Sequence, residues 1–368
     1  MSSCRRILHL APFNTSGVPI TCVRAERRLG WHSRLITFGR DPRGYEEDVC
    51  LELPLLDFAG LRWAKRLFSH PDRLQVNNTR HITRSGPPQW QPHTRAEQWL
   101  LQLREWLWTP AIQRALAAVD FWNFDVYQFD GGMEFYRDGR LVRELKRRGK
   151  TIICLYTGSD LRTRGLVPAV DRQADLRLTL EFDHLLLDPS LHHLFFPFEF
   201  ERYVVQPAKS SGPLVIGHAP TNRHAKGSEL IIAAVQSLAG EFPVRLELIE
   251  GMPHAEAMRR KAACDIFIDN LGELGYGVNA IEALALGICT CTSLMPDFSA
   301  RYPDHGFVEI TAQNLVEKLR WLCRHPDERM RLARAGRAWA LAHHGAQAVV
   351  QHIHHLLHRQ QHAHSVHQ

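Results

Sequence analysis

The most distinctive chemistry in the sequence follows a short apolar run at residues 265–269. The run leads into Gly275-Tyr276-Gly277 and then into a helical segment with one acidic residue, Glu282. Glycines let backbone N–H groups approach a phosphate closely, and the helix N-terminus behind them supplies partial positive charge. A carboxylate on that helix can accept two hydrogen bonds from a ribose. The pattern therefore predicts a site for an anion and a diol.

A second polar segment lies at the exit of an earlier strand. It begins at His218 and contains Arg223 and Lys226 just ahead of a helix. Two cations beside a helix N-terminus can hold a pyrophosphate. The alternative is an ordinary helix start with solvated charges. Glu282 also has an alternative, because a carboxylate in an apolar helix is costly to bury unpaired and a structural ion pair would satisfy it.

The N-terminal half offers a third group of candidates. Asp130 stands at the end of one predicted strand, Ser159 and Asp160 follow the next, and Gly17 lies in the first turn of the chain. If these strands are parallel, all four residues face one edge of the sheet, and such edges bind ligands. The alternative for Asp160 is a helix cap.

The elements that must position these residues alternate along the chain. Strands are predicted at residues 6–10, 33–38, 125–129, 151–155, 214–217, 244–249 and 265–269, and helices at 19–29, 95–119, 228–238, 255–263 and 280–286. Alternating strands and helices predict an α/β fold with mostly parallel sheets. A chain of 368 residues is longer than one core usually grows. We expect an N-terminal domain at 1–207, a C-terminal domain at 208–345 and a final segment at 346–368.

Composition limits the classes of function. Apolar residues make up 45% and charged residues 23% of the chain, which is typical of a globular protein. The start of the chain lacks a signal-peptide core and no apolar run could span a bilayer, so a cytoplasmic location is expected. The formal net charge of +6 favours anionic partners. Basic residues are not interleaved with aromatics in a stripe, which argues against nucleic acid.

Three further features have open interpretations. The helix at 95–119 carries Trp99 and Trp106 among arginines, and is either a core-packed amphipathic helix or an acceptor lid or membrane-surface contact. The histidine-rich tail from residue 343 favours a solvated helix over a metal site. Among the eight cysteines, Cys289 and Cys291 alternate in a strand-like run, which favours buried thiols over metal ligands.

The two C-terminal segments carry a resemblance to a known family. The residues 218–227, with Lys226-Gly227, and the glycine turn with Glu282-Ala283-Leu284-Ala285-Leu286-Gly287 resemble the second domain of retaining GT-B glycosyltransferases of the glycogen-synthase-like and mannosyltransferase-like group, family 4. Gly17 and residues 158–162 resemble the acceptor domain of the same group. The resemblance covers most of the chain except residues 40–120.

That resemblance implies two Rossmann-like domains facing across a cleft, with the last helix returning to the N-terminal domain. It implies transfer of a sugar from a UDP- or GDP-linked donor to a hydroxyl acceptor, with retention of configuration and without a metal or other cofactor. Glu282 would accept the ribose hydroxyls, and Lys226 and Arg223 would neutralise the leaving diphosphate.

The resemblance also implies the remaining parts of the site. His218, Tyr276, the backbone near Gly275, Gly277 and Val278, and Gly17 would lie at the donor. Asp130 would lie beside the reacting carbon, and with Ser159 and Asp160 it would meet the acceptor, a glycan, lipid-linked sugar or small metabolite.

One departure from the family pattern concerns the sugar. The group has two glutamates seven residues apart, and this chain has Leu274 at the first position with Glu273 beside it. Either Glu273 takes over the sugar contact or the contact is lost. Two alternatives to a transferase therefore stay open, a sugar-nucleotide epimerase of the same fold and a degenerate binder of nucleotide sugars.

Overall fold

A computed structural model describes residues 5–42, 44–56, 86–92, 94–158, 160–205, 212–272 and 275–366, with the backbone alone at 163 and 362–366. The described residues form two compact units. One contains the chain up to Pro197 together with the segment from Ala346 onward, and the other is Phe198–Gly345. The boundary at Pro197 lies ahead of the one predicted at residue 207. Glu273, Leu274 and Ser159 lie outside the described residues, as does most of the predicted linker.

The N-terminal unit is built on a seven-stranded parallel sheet in the order β3-β2-β1-β4-β5-β6-β7. The strands are β1 Arg6–Ala11, β2 His32–Thr37, β3 Val49–Cys50, β4 Val126–Asp130, β5 Thr151–Tyr156, β6 Leu176–Thr179 and β7 His192–His193. The central strands are buried on both faces, as continuous apolar runs in parallel sheets require. The order reverses between β1 and β4.

Helices connect these strands in the same unit. They are α1 Val18–Arg28, α2 Arg95–Ala118, α3 Arg140–Arg147, α4 Pro168–Asp171 and α5 His184–Leu187, with a π-turn at Asp160–Arg164. Gly17 precedes α1 with a left-handed φ of 69°, a conformation that favours glycine. A side chain at that position would also meet the ring of Tyr45.

The C-terminal unit has a smaller parallel sheet of five strands in the order β12-β11-β10-β8-β9. They are β8 Leu214–His218, β9 Val244–Leu248, β10 Ile266–Ile268, β11 Cys289–Thr292 and β12 Val308–Glu309. The helices are α6 Arg223–Lys226, α7 Ser228–Leu238, α8 His254–Ala262, α9 Val278–Ala285, α10 Pro296–Arg301, α11 Leu315–Arg324 and α12 Pro326–His344. Cys289 and Cys291 are buried on β11.

The last helix, α13 Ala346–Val366, packs on α1 of the N-terminal unit. Ala346 and Val350 meet Cys22 and Ala25 there. The interpretation of this tail as a solvated helix is wrong for its inner face, where His354 is only 4% exposed. The tail is helical, as predicted, but its residues alone do not reveal that α1 covers one of its faces.

Helix α2 packs against the core on one face, but not through Trp99 and Trp106. Its buried residues are Glu105, Trp108, Ile112 and Ala115, and Leu116 is partly buried against the same core, whereas the other face is exposed. That face exposes Trp99, Leu100, Leu103, Trp106 and Leu107. Core packing therefore fixes one side of α2 and leaves an apolar stripe on the other.

Candidate functional site

The strand order marks the ligand edge of the C-terminal sheet. β8 is followed by β9 on one side, while β10 pairs with its other side, so the order reverses between β8 and β10. In open parallel sheets, ligands bind beyond the strand C-termini where this reversal occurs. The β8 exit holds α6 with Lys226, and the β10 exit holds Asp269 and the glycine turn. Both predicted segments of the C-terminal domain meet at this point.

Lys226 lies against the glycine turn, as the pyrophosphate prediction requires. Its Nζ lies 3.3 Å from Oδ1 of Asp269, and Oδ2 of Asp269 accepts a hydrogen bond from the Gly277 amide at 2.9 Å. A Cβ built on Gly277 would lie 3.6 Å from the Lys226 ammonium. An ammonium and an amide at the N-terminus of α9 thus converge on one carboxylate, and in this structure the negative charge they hold is that of Asp269.

Asp269 was not singled out by the sequence analysis. It is 1% exposed, and Nδ2 of Asn270 donates to it at 3.0 Å. Burial alone would raise the pKa of Asp269, but Lys226 and the Gly277 amide bring that pKa below its ordinary value. A carboxylate directly after a fully apolar strand was the available signal, since an acid at that depth needs a cation.

Asn270 holds the glycine turn in place. Its Nδ2 donates to the Gly275 carbonyl at 2.9 Å and to Thr292 at 3.1 Å. Tyr276 points away from the turn into an aromatic cluster with Phe307 and Trp339, and its hydroxyl bonds His344 at 3.0 Å. Val278 is the first residue of α9. Tyr276 therefore anchors the turn, and the backbone of the turn is the part that faces the ligand edge.

Arg223 is separated from Lys226 in its interactions. Its side chain is 48% exposed and forms a bidentate pair with Glu250, at 2.9 and 2.6 Å, and a longer contact with Glu229. A phosphate would have to compete with these two carboxylates for its guanidinium.

His218 lies in the core below the ligand edge. It is fully buried, its Nδ1 donates to the Ile268 carbonyl and its Nε2 accepts from the Ser228 hydroxyl, both at 2.8 Å. Burial lowers the pKa of His218, so the ring is neutral at pH 7. Its place and its bonds link β8, β10 and α7.

Glu282 is buried at 3% exposure on α9 and both its oxygens have partners from α8. Oε2 bonds the ammonium of Lys261, and Oε1 accepts from Nε2 of His254 at 2.7 Å. Burial tends to raise the pKa of Glu282, but Lys261 and His254 together hold that pKa below its ordinary value. Glu282 is therefore an ionised acceptor on the first turns of the helix that begins at the glycine turn.

The reversal point of the N-terminal sheet lies between β1 and β4, where Asp130 ends β4. Its Oδ1 accepts from Gln128 at 3.0 Å, and its buried Oδ2 has no hydrogen-bond partner among the described residues. Burial raises the pKa of Asp130 to about 6. A buried acid with an unbonded oxygen at a ligand edge is suited to a ligand or a proton.

A buried chain of polar groups lies behind Asp130. His9 on β1 donates to Glu26 at 2.8 Å, and Glu26 also contacts His354 of α13 at 3.3 Å. His354 in turn bonds Arg5 at 2.8 Å. Burial would raise the pKa of Glu26, but the two histidines lower it to about 2. This network of polar side chains was not predicted from the sequence, because its members are up to 349 residues apart.

Asp160 follows β5 and is held by local bonds. Its Oδ2 accepts from the Thr157 amide at 2.8 Å, and its Oδ1 lies 3.4 Å from Arg164. Arg164 also donates to the carbonyl of Gly131, directly after Asp130. Asp130 and Asp160 thus border one polar edge. Among the described residues, no group of three His, Cys, Asp or Glu side chains is arranged to hold a metal ion.

Two comparisons with known proteins bear on this geometry. A family model described as glycosyl transferase-like matches residues 233–355, which include α8, β10, the glycine turn and Glu282. A search by sequence among curated proteins finds no significant match.

Solved structures match the whole chain. Sucrose-phosphate synthase from Thermosynechococcus elongatus has a TM-score of 0.59 at 14% identity, over 98% of this chain and 100% of the other. HepE from Anabaena, solved with UDP, has a TM-score of 0.56 at 12% identity, over 96% and 100%. The chain has the GT-B fold. It carries a glycosyl transferase-like domain at residues 233–355, and the predicted α/β fold class and resemblance to GT-B glycosyltransferases are confirmed.

The same fold also occurs in an epimerase-like protein. A Listeria monocytogenes protein provisionally named UDP-N-acetylglucosamine 2-epimerase has a TM-score of 0.52 at 10% identity, over 95% of each chain. At identities this low, the likeness shows the fold alone, so the choice between activities depends on the site.

Proposed function

We propose that the chain is a glycosyltransferase that moves a sugar from a nucleoside-diphosphate sugar to a hydroxyl acceptor, with retention of configuration. The observation that carries the proposal is the convergence of the Lys226 ammonium and the Gly277 amide at the N-terminus of α9, the helix that holds Glu282. The first two groups suit a diphosphate, which would share them with Asp269, and the third suits a ribose. The N-terminal half of α9 would then bind both the diphosphate and the ribose of the nucleotide.

The chemistry follows from charge. As the bond between sugar and phosphate breaks, negative charge grows on the diphosphate, and Lys226 stabilises it in a site of low polarity. In the front-face route of the resembling group, the leaving phosphate takes the proton of the acceptor hydroxyl, so no protein base is needed. Asp130, ionised at pH 7 by its pKa of about 6, would stabilise the positive charge that forms on the sugar ring.

Uridine donors are the first to test, because HepE is described with UDP and with UDP-glucose. Purified protein is incubated with UDP- and GDP-sugars, with and without hydroxyl acceptors, and release of nucleoside diphosphate is measured. Acceptor-dependent release supports the proposal, and NMR of the product's anomeric proton tests retention. Binding without release or conversion would instead support a degenerate site.

The epimerase alternative has less support. An epimerase needs an acid and a base at the donor sugar. In addition to Asp130, the candidates from the sequence are His218 and His184. His184 is buried, with Nε2 donating to the Gly158 carbonyl at 3.0 Å and Nδ1 bonded to Thr179 at 2.7 Å. His218 likewise uses both ring nitrogens. Conversion of one nucleotide sugar into another without diphosphate release would reverse this preference.

We also propose that α2 contacts a lipid surface, which would bring a lipid-linked acceptor within reach. Its stripe exposes Trp99 by 63% and Trp106 by 70%, and Arg95 and Arg114 are exposed at its two ends. Tryptophans with arginines at their flanks suit the interface of an anionic bilayer. Among the described residues, no helix is long and apolar enough to cross a membrane.

A further inference from the structure

Glu282 is buried, and burial opposes the negative charge that its proposed role requires. A carboxylate can accept ribose hydroxyls well only while it is ionised, and burial favours the protonated form. Glu282 is 3% exposed on a helix whose neighbouring residues Ile281 and Ala283 are fully buried. Something must therefore keep the charge on Glu282 at neutral pH.

Lys261 is the group that does this. It is 1% exposed, which is rare for a lysine, and its ammonium bonds Oε2 of Glu282 and Oδ1 of Asn279. The Asn279 amide in turn donates to the Ala219 carbonyl at 3.0 Å, on the exit of β8. Lys261 thus links α8 to α9 and, through Asn279, to the loop after β8. Its ammonium bonds only one of the two carboxylate oxygens of Glu282.

The second oxygen has a different kind of partner. Oε1 bonds His254, whose side chain is 35% exposed at the first turn of α8. The side of Glu282 that faces His254 is therefore the side closer to solvent, and the side that faces Lys261 is closed. Oε1 is therefore the oxygen that a ribose would approach, and the ribose would share it with His254 or displace that ring.

We propose that Lys261 is a positioning residue that keeps Glu282 ionised and turned so that Oε1 faces the ribose diol of the donor. The inference rests on the proposed function, because it assigns Glu282 to the ribose. Lys261 itself has no room to touch the ligand. Its effect on binding passes through the charge of Glu282, which separates it from an ordinary structural ion pair.

The other charged groups near Glu282 do not replace Lys261. On α8, His254 is the only other titratable partner of Glu282 among the described residues, and Arg260 points outward to Glu247 and Glu256. On α12, Arg337 donates to the carbonyl of Ala285. At the end of β10, Asp269 is paired with Lys226. From β10, the apolar ring of Phe267 shares a buried cluster with Ala283 of α9.

The test is the pH profile of nucleotide binding. K261Q keeps a hydrogen-bonding amide and removes the charge, so the pKa of Glu282 rises and the carboxyl is protonated at mildly acidic pH. We expect UDP binding by K261Q to weaken about tenfold, relative to wild type, between about pH 8 and about pH 5.5. Taking the ratio to wild type removes the titration of UDP itself. K261R and the surface control R260Q should show a constant ratio.

E282Q provides a second variant in which Lys261 is kept but loses its counter-charge, so far-UV circular dichroism first confirms that this variant is folded. It mimics the protonated carboxyl, so weak UDP binding at every pH is expected. A K261Q ratio that stays constant with pH would overturn the inference while leaving the proposed function standing. Wild-type affinity in E282Q would overturn the inference together with the assignment of Glu282 to the ribose. If wild-type protein binds no nucleotide at all, the proposed function fails, and that result is distinct from a flat ratio. Isothermal titration calorimetry measures each of these outcomes.

Discussion

Lys226 and Asp269 form a buried ion pair across the exits of β8 and β10, with 3.3 Å between Nζ and Oδ1 and side-chain exposures of 7% and 1%. The pair joins the two segments that the sequence marked separately as anion sites. Since Asp269 also binds the Gly277 amide, it fixes both the cation and the turn. Lys226 and the backbone at Gly277 are therefore held together at the ligand edge of the C-terminal sheet by one carboxylate.

Replacing Asp269 with asparagine should destabilise the C-terminal unit. The substitution keeps the shape but leaves the buried Lys226 ammonium without a counter-charge, which costs about 3 kcal/mol in comparable pairs. Urea unfolding followed by far-UV circular dichroism measures the change. E250Q is the matched control, because the Arg223–Glu250 pair is exposed and a much smaller loss is expected. Equal losses in both variants would contradict the importance of the buried pair.

The strands and helices of this site were predicted from the sequence, but the side-chain pairs between them were not. The strand before Asp269 and the helix around Glu282 were both predicted, because apolar runs and the spacing of apolar residues indicate local structure. The pairing of Lys226 with Asp269, and of Glu282 with Lys261, depends on which strands and helices become neighbours. That choice is made by sheet order over separations of 43 and 21 residues, which periodicity does not encode.

The same limit applies to α2 and α13. Both helices were predicted from their residues, but the side that faces the core was not. Trp108 is buried while Trp106 is exposed, and His354 is buried on a helix that otherwise suggests solvent. Where apolar residues surround a helix on two faces, only its tertiary neighbours decide which face is covered.

Lys226 and Arg223 should differ sharply in their effect on turnover. K226M removes the cation that faces the glycine turn, and loss of one electrostatic contact to a leaving group costs about 10²-fold in kcat/KM. R223M removes a guanidinium already held by Glu250 and Glu229, so a small change is expected. Nucleoside diphosphate release measures both, and circular dichroism confirms that each variant is folded. A larger loss in R223M would move the diphosphate to Arg223.

Asp130 should show a gain in stability together with a loss in activity when it becomes asparagine. The pKa of Asp130 is raised by burial from 3.8 to about 6. A raised pKa in the folded state means that ionisation opposes folding as pH rises from about 4 to above 6. At pH 7 this opposition amounts to about 3 kcal/mol.

D130N removes that opposition, so its free energy of unfolding should exceed that of wild type at pH 7 and equal it near pH 4. Urea titrations at both pH values measure the difference. D304N, at an exposed carboxylate of the other unit, is the matched control. If Asp130 has the role proposed for it, turnover of D130N should fall, because the variant lacks the charge that would stabilise the sugar ring. Unchanged turnover would place Asp130 outside the catalytic site.

The exposed apolar stripe of α2 leads us to expect that the protein binds anionic membranes through Trp99 and Trp106. The double variant W99Q/W106Q removes the two most exposed tryptophans of the stripe without touching Trp108, which is 2% exposed and bonds the Pro54 carbonyl at 2.7 Å. We expect wild-type protein to sediment with phosphatidylglycerol vesicles and the double variant to lose about tenfold in affinity, since each aromatic ring contributes buried apolar area. W321Q, at a 40% exposed tryptophan of the C-terminal unit, is the matched control. If both variants bind vesicles as wild type does, the contact depends on charge elsewhere and α2 has no part in it.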